Sequence, residues 1–237
     1  MNRPKEEEKK IKNRIFIVDD HPIVRRGITQ LINQEPNFIV CGEASDMASA
    51  LKAISTCNCD LVIVDLSLGQ DSGIRLIEEI LLGNPDMKIL VLSMHDESLY
   101  AERCFRAGSK GYIMKQEPPE QVISALKIIL NGEVYISDKL SSRLLNKLVS
   151  KQPATFSSPI EQLSNRELEV FQLIGKGVKT RKIAEQLNLS VKTIETYIDH
   201  IKRKMNLEDS RDLIQHAVQW GMNEKSPSAP ATKPQKK

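Results

Sequence analysis

Five short apolar runs, spaced by helical patterns, limit what this chain can fold into more than any other feature. They are Ile15–Val18 (IFIV), Phe38–Cys41 (FIVC), Leu61–Val64 (LVIV), Ile89–Leu92 (ILVL) and Gly111–Met114 (GYIM). Each is continuously apolar rather than alternating, as parallel strands covered on both faces must be. Amphipathic stretches near residues 22–34, 46–56, 73–82, 97–107 and 119–131 lie between and after them. Five successive strand–helix units predict a doubly wound α/β domain with a five-stranded parallel sheet. The functional residues of such a sheet collect at the carboxyl ends of its strands.

Polar residues follow those strands at the expected places. The first run leads into Asp19 and Asp20, the third into Asp65, the fourth into Ser93 and the fifth into Lys115. A single strand-end Asp can be an ordinary helix cap; five polar groups converging on one sheet edge make a site. Three neighbouring carboxylates repel and call for a cation. Mg2+ takes oxygen ligands and retains several waters. A phosphoryl group moving to a carboxylate needs its oxygens neutralised by metal, lysine and hydroxyl. Asp65 as nucleophile, Asp19 and Asp20 on Mg2+, and Lys115 and Ser93 on phosphoryl oxygens meet those needs.

These segments carry a resemblance. VDD (18–20), VDLSLGQDSG (64–73), LS (92–93) and YIMK (112–115) resemble the receiver domain of bacterial response regulators over residues 14 to about 131. The resemblance implies that Asp65 is the phosphoacceptor and that Asp20 binds Mg2+ directly. It implies that Asp19 acts through water and that the Ser67 carbonyl completes the protein ligands. Ser93 and Tyr112 match the switch pair, in which the aromatic follows the hydroxyl inward. One position departs from the pattern: Gly69 stands where the family usually carries proline, which predicts a looser loop. Phosphohydrolases that form an aspartyl phosphate commonly place a second Asp two residues after the nucleophile, and Ser67 there argues against that alternative.

Beyond residue 133 the pattern changes. Helices are expected near 136–149, 164–175, 179–187, 191–205 and 209–220, with no further strand. Ser150 to Pro159 (SKQPATFSSP) reads as a flexible linker, and Glu224 to Lys237 as a basic, disordered tail. The division expected is a receiver over 13–133, a linker helix and linker over 134–159, a smaller all-α four-helix domain over 160–222, and a tail over 223–237. Ser164 and Glu167 form a capping-box pattern. Ile194, Ile198, Ile201 and Met205 make one apolar stripe on the helix that Ser190 caps, with Lys192, Glu195, Thr196, Asp199 and Arg203 on its other side. Joined to the short segment Thr180–Leu187 by a tight turn, this suits a helix-turn-helix.

Residues 163–207 are similar to the LuxR/NarL-type helix-turn-helix, and the two domains together to the NarL/FixJ family. By that likeness Lys192, Glu195, Thr196 and Asp199 face bases or adjacent phosphates. Thr180, Arg181, Thr193, Lys202 and Arg203 contact phosphates. Asp199 stands where the family often has a basic residue; it either lowers nonspecific affinity or holds a neighbouring Lys or Arg. The implied partners are a sensor histidine kinase, double-stranded DNA, a second copy of the chain on paired half-sites, and RNA polymerase.

Charge agrees with this division. Residues 13–133 hold 11 Lys and Arg against 17 Asp and Glu, net −6, so the remainder of this +3 chain carries +9. A basic second half suits nucleic acid. The N-terminus is polar without an apolar core, and no run of 18 apolar residues occurs, which predicts a cytoplasmic protein. The cysteines Cys41, Cys57, Cys59 and Cys104 fit no zinc spacing and read as reduced thiols in or near the core. The histidines His21, His95, His200 and His216 form no pattern in the sequence, and Trp220 reads as core or interface.

Overall fold

The computed structural model describes residues 12–69, 71–149 and 159–225. The linker over 150–158 and the tail from 226 onward therefore lie outside the described residues. The chain divides into two compact units between Asn146 and Lys147.

The first unit opens with β1 (Asn13–Val18), α1 (Pro22–Gln34), β2 (Phe38–Ala44), α2 (Met47–Ile54) and β3 (Leu61–Val64). A two-residue hairpin follows, β4 (Ser67–Leu68) with β5 (Asp71–Ser72), paired antiparallel. Then come α3 (Gly73–Gly83), β6 (Lys88–Ser93), α4 (Glu97–Arg106), β7 (Gly111–Met114), α5 (Pro119–Leu130) and α6 (Asp138–Val149). The main sheet is parallel, in the order β2-β1-β3-β6-β7. This is the doubly wound sheet that the alternating runs predict.

Local chemistry starts and stops these elements where the chain must turn. Pro22 and Pro119 open α1 and α5, where a missing N–H costs nothing. Asp46 and Asp96 cap α2 and α4 through the amides of Ser49 and Ser98. On one face of the sheet Ile15, Ile17, Leu61, Ile63, Leu90, Leu92 and Ile113 pack against α1 and α5 through Ile32, Val122, Leu126 and Ile129. The alternate residues Phe16, Val62, Val64, Ile89 and Val91 are equally buried on the opposite face. Each such side chain contributes about 1.5–3 kcal/mol on burial.

β2 differs from its expected form. It extends three residues beyond Cys41 and is only partly covered, as befits an edge strand. Gly42 allows the extension: a Cβ there would sit 2.5 Å from the Phe16 ring. At the other edge, Tyr135 bridges to Gly111, and its amide donates to the Lys110 carbonyl at 2.9 Å. The chain then enters α6. Ser137 Oγ donates to the buried Glu97 carboxylate at 2.7 Å, and Leu140 is buried. Arg143 donates to the Ser98 carbonyl. Residues 134–146, expected to belong to a separate linker, thus group with the first unit.

The second unit holds a 3-10 turn (Pro159–Gln162), α7 (Asn165–Gly175), α8 (Thr180–Gln186), α9 (Val191–Met205) and α10 (Ser210–Lys225). Ser164 and Glu167 form the expected capping box on α7. Leu168, Val170, Phe171 and Ile174 of α7 are buried, as are Ile183, Ala184 and Leu187 in and after α8. Ile194 and Ile201 of α9 and Leu213 and Ala217 of α10 complete the core. Trp220 tilts against Phe171 with ring centroids 5.8 Å apart. α10 runs through Lys225, beyond its expected end at 220.

Candidate functional site: an acidic cluster and an exposed helix face

β1, β3 and β7 deliver their following residues to one sheet edge. Asp19 and Asp65 are each only 3% exposed, which for carboxylates demands a partner. Lys115 provides it. Its Nζ lies 2.6 Å from Asp19 Oδ2 and 2.7 Å from Asp65 Oδ2. Burial nonetheless raises the Asp65 carboxyl above its ordinary value. Lys115 works against that rise and the Asp19 charge adds to it. Gly73, at the head of α3, packs directly on this residue: a Cβ there would meet the Asp65 carbonyl at 2.2 Å.

Asp20 is bound differently. Its Oδ2 accepts the Gly69 amide at 3.0 Å. Gly69 has φ +64, a left-handed conformation in which proline cannot stand, and proline would have no N–H to give. The glycine that replaces the family's usual proline therefore does not free the loop. It closes the β4–β5 hairpin onto Asp20. Asp20 Oδ1 is buried and meets no donor in hydrogen-bonding geometry, although His21 Nδ1 lies 2.6 Å away. Ligand atoms of Asp19, Asp20, His21 and Asp65 all fall within 4.8 Å of one another, close enough to share a metal ion.

The remaining predicted groups form a second layer. Ser93 is fully buried at the end of β6, and its Oγ accepts the His95 amide at 3.2 Å. Tyr112 is 1% exposed, so its ring lies inward, and its hydroxyl donates to the His95 carbonyl at 2.8 Å. His95 stacks on Tyr100 at 4.5 Å between centroids, and its Nε2 lies 3.0 Å from Ser67 Oγ. His95 thus joins the acceptor loop to both switch candidates, and His21 lies on the acids. Sequence reasoning missed both. Only their places, one residue past Asp20 and two past Ser93, could have pointed to them.

In the second unit Lys192, Glu195, Thr196, Asp199 and Arg203 are exposed along α9, as is Arg181 on α8. Thr180, Thr193 and Lys202 are partly covered. Thr193 Oγ1 lies 2.8 Å from the Ser190 hydroxyl at the cap, and Thr196 Oγ1 donates back to the Lys192 carbonyl. Asp199 pairs with Lys202 at 2.9 Å, and that ammonium holds its carboxyl below the ordinary range. Holding a neighbouring lysine is one of the two roles left open for Asp199, and that contact is present. On the inner side, Glu167 does more than cap. Its Oε2 accepts the Ser164 amide and the Lys204 ammonium, both at 2.6 Å. His200 Nδ1 lies 3.6 Å from Oε1. One buried carboxylate therefore ties α7 to α9.

A sheet that gathers acids around a lysine, joined to helices that hold a polar face outward, defines a signal-responsive DNA-binding regulator. The response regulator receiver domain matches residues 15–127, and the luxR family of bacterial regulatory proteins matches residues 161–217. The oxygen regulatory protein NreC of Staphylococcus carnosus (strain TM300) is 37% identical over 209 residues, 86% of this chain and 96% of that protein. RcsB of Salmonella enterica serovar Typhimurium, bound to promoter P1flhDC with phosphomimetic BeF3-, is 28% identical. It aligns with TM-score 0.69 over 88% of this chain and 99% of its own. A structure of two RcsB dimers bound to two parallel DNAs, also 28% identical, aligns at 0.65 over 87% of this chain and 98% of its own. The chain belongs to the two-component response regulators of the LuxR family: it is a transcription regulator, not an enzyme.

Proposed function

We propose that Asp65 accepts a phosphoryl group from the phosphohistidine of a sensor histidine kinase, and that this controls dimerisation and sequence-specific DNA binding through α9. The observation that carries the reading is the buried Asp65 carboxylate with Lys115 Nζ at 2.7 Å and Asp19 and Asp20 beside it. In the transfer, an Asp65 oxygen attacks phosphorus, the phosphorus–nitrogen bond breaks, and the imidazole leaves with the electron pair. Lys115 and the Ser93 hydroxyl take phosphoryl oxygens. Tyr112 occupies the inward position and follows Ser93.

The anionic oxygens of Asp19, Asp20 and Asp65 fit Mg2+, and the buried Asp20 Oδ1 accepts no hydrogen bond, with His21 Nδ1 beside it at 2.6 Å. Asp20, Asp65, Asp19 and the Ser67 carbonyl would hold Mg2+, which when bound would supply positive charge to the phosphoryl oxygens. On α9, Lys192, Glu195, Thr196 and Asp199 face the bases or adjacent phosphates, and Glu195 is suited to accept from cytosine N4. Thr180, Arg181, Thr193, Lys202 and Arg203 hold the backbone. Pairing two copies on two half-sites multiplies the few base contacts one helix makes, and the dimeric RcsB complexes on DNA support that arrangement. The protein acts in the cytoplasm, with RNA polymerase as a further partner on the promoter. Among the described residues no helix is long and apolar enough to cross a membrane.

The test is incubation of the full chain with Mg2+ and acetyl phosphate, followed by intact mass and oligomeric state. A gain of one phosphoryl group with a shift to dimer is expected. DNA binding without any phosphoryl gain would move control from Asp65 to a protein partner.

A further inference from the structure

Cys41, Cys57 and Cys59 are all free thiols of intermediate exposure, and none takes part in the acceptor site. Two of them meet. Cys57 Sγ lies 3.2 Å from Cys41 Sγ, although 16 residues separate them. Cys41 stands in the edge strand β2, where its thiol also donates to the Ile15 carbonyl at 3.3 Å. Cys57 stands in the turn after α2, between exposed Thr56 and exposed Asn58. Side-chain flexibility of about 1 Å separates this pair from the S–S bond length of about 2.05 Å.

We propose that Cys41 and Cys57 form a reversible redox modification site, closed to a disulfide by a peroxide-class oxidant and reopened by thiol reductants. The balance is simple. The Cys57 sulfur takes one oxygen from hydrogen peroxide, giving a sulfenic acid and one water. The Cys41 sulfur then attacks it, and the S–O bond breaks as the S–S bond forms. The hydroxyl leaves with the Cys41 proton as a second water. Two thiols are oxidised and one peroxide is reduced. The order follows from place: Cys57 lies between exposed residues of the turn, whereas the Cys41 thiol is held by the Ile15 carbonyl in β2 and is pushed up to about 12 by burial and its Cys57 neighbour. Arg14 opposes this rise at both Cys41 and Cys59. Its guanidinium also donates to the Asn58 carbonyl, which fixes a cation beside the turn.

The site has a defined mechanical reach. The bridge would clamp both ends of the segment that contains α2. The first amide of that helix, Met47 N, faces Asp71 Oδ2 of the β4–β5 hairpin at 3.4 Å. The acceptor edge itself lies four residues up β1 from Ile15, so phosphoryl uptake at Asp65 is expected to persist after oxidation.

The test treats the full chain with hydrogen peroxide, blocks remaining thiols, and maps tryptic peptides without reduction. Cys41 falls in the peptide of residues 27–52 and Cys57 in that of residues 53–75. The expected product is these two peptides joined, lost in Cys41→Ser and in Cys57→Ser, retained in Cys59→Ser, and reversed by dithiothreitol. Amide exchange over residues 42–57 should slow in the oxidised protein. A Cys57–Cys59 bridge within one peptide, or sulfinic acid at Cys57 with no joined peptides, would overturn the proposal. So would a joined product that disappears in Cys59→Ser.

Discussion

Each unit buries a carboxylate beside an ammonium group, and the two pairs behave in opposite ways. Asp65 and Glu167 are each 3% exposed, with a lysine at 2.7 Å and 2.6 Å. Yet the Asp65 carboxyl is raised and the Glu167 carboxyl lowered, although burial is the largest single influence on both. Asp65 lies the deeper of the two among the protein atoms, and its partners differ as well. The Glu167 carboxylate also accepts the Ser164 amide at the head of α7, while the Glu167 amide donates to the Ser164 hydroxyl, so the cap supports its ionised form. Asp65 shares its lysine with a second carboxylate, Asp19. A charge that exists to hold a fold is satisfied within it. A charge that exists to react is left short, and what arrives later completes it.

The sharpest way to break this contrast is to neutralise each acid in turn. Asp65→Asn should abolish phosphoryl gain from acetyl phosphate, read by intact mass. At neutral pH and without metal it should raise the melting temperature of the receiver, because an unfavourably buried charge is gone. A fall of several degrees would place Asp65 with Glu167 as a structural acid. Glu167→Gln should do the reverse, leaving phosphoryl uptake untouched while destabilising the second unit by about 1.5–3 kcal/mol. Trp220 is the chain's single tryptophan and packs on Phe171 of α7, so its fluorescence reports that unit selectively during urea unfolding.

A pH series sharpens the same point with a smaller effect. A carboxyl whose folded pKa is depressed contributes stability that is present above its ordinary value and lost as pH falls through the folded one. The second unit should therefore weaken below about pH 4.5, the ordinary glutamate value, and Glu167→Gln should flatten that slope. The smallest effect is expected on the outer face of α9. Asp199→Asn frees Lys202 from its pair at 2.9 Å. Nonspecific DNA affinity should rise by a factor of about two to five at low salt and converge with the native protein at high salt. Unchanged affinity at every salt concentration would remove Lys202 from the contact surface.

The period-based signals were legible because they depend on residues close in sequence. The stripe of α9 and its capping Ser190 fixed Val191–Met205, and Pro22 fixed the start of α1. The convergence of Asp19, Asp20, Asp65 and Lys115 was legible because parallel strands place their carboxyl ends together. What stayed hidden depends on distant partners. Nothing near His95 announces that Tyr112, 17 residues on, donates to its carbonyl. Glu167 reads as a cap from its own neighbours; its bond to Lys204 spans 37 residues. The β4–β5 hairpin has two residues per strand, too few for any period, and rests on Gly69 turning through positive φ.

The strip from Tyr135 to Arg143 bears on anyone who wishes to produce the receiver by itself. A fragment cut at residue 133, where the strand–helix pattern ends, would strip the cover from the outer edge of β7 and take Ser137 from a buried glutamate. It would also bare the surface that Leu140 fills. Open strand edges recruit one another, so such a fragment is expected to precipitate or pair through its sheets and give a false reading of self-association. Ending the fragment after Asn146 keeps that cover and gives the isolated receiver a fair trial as a phosphorylation-dependent dimer.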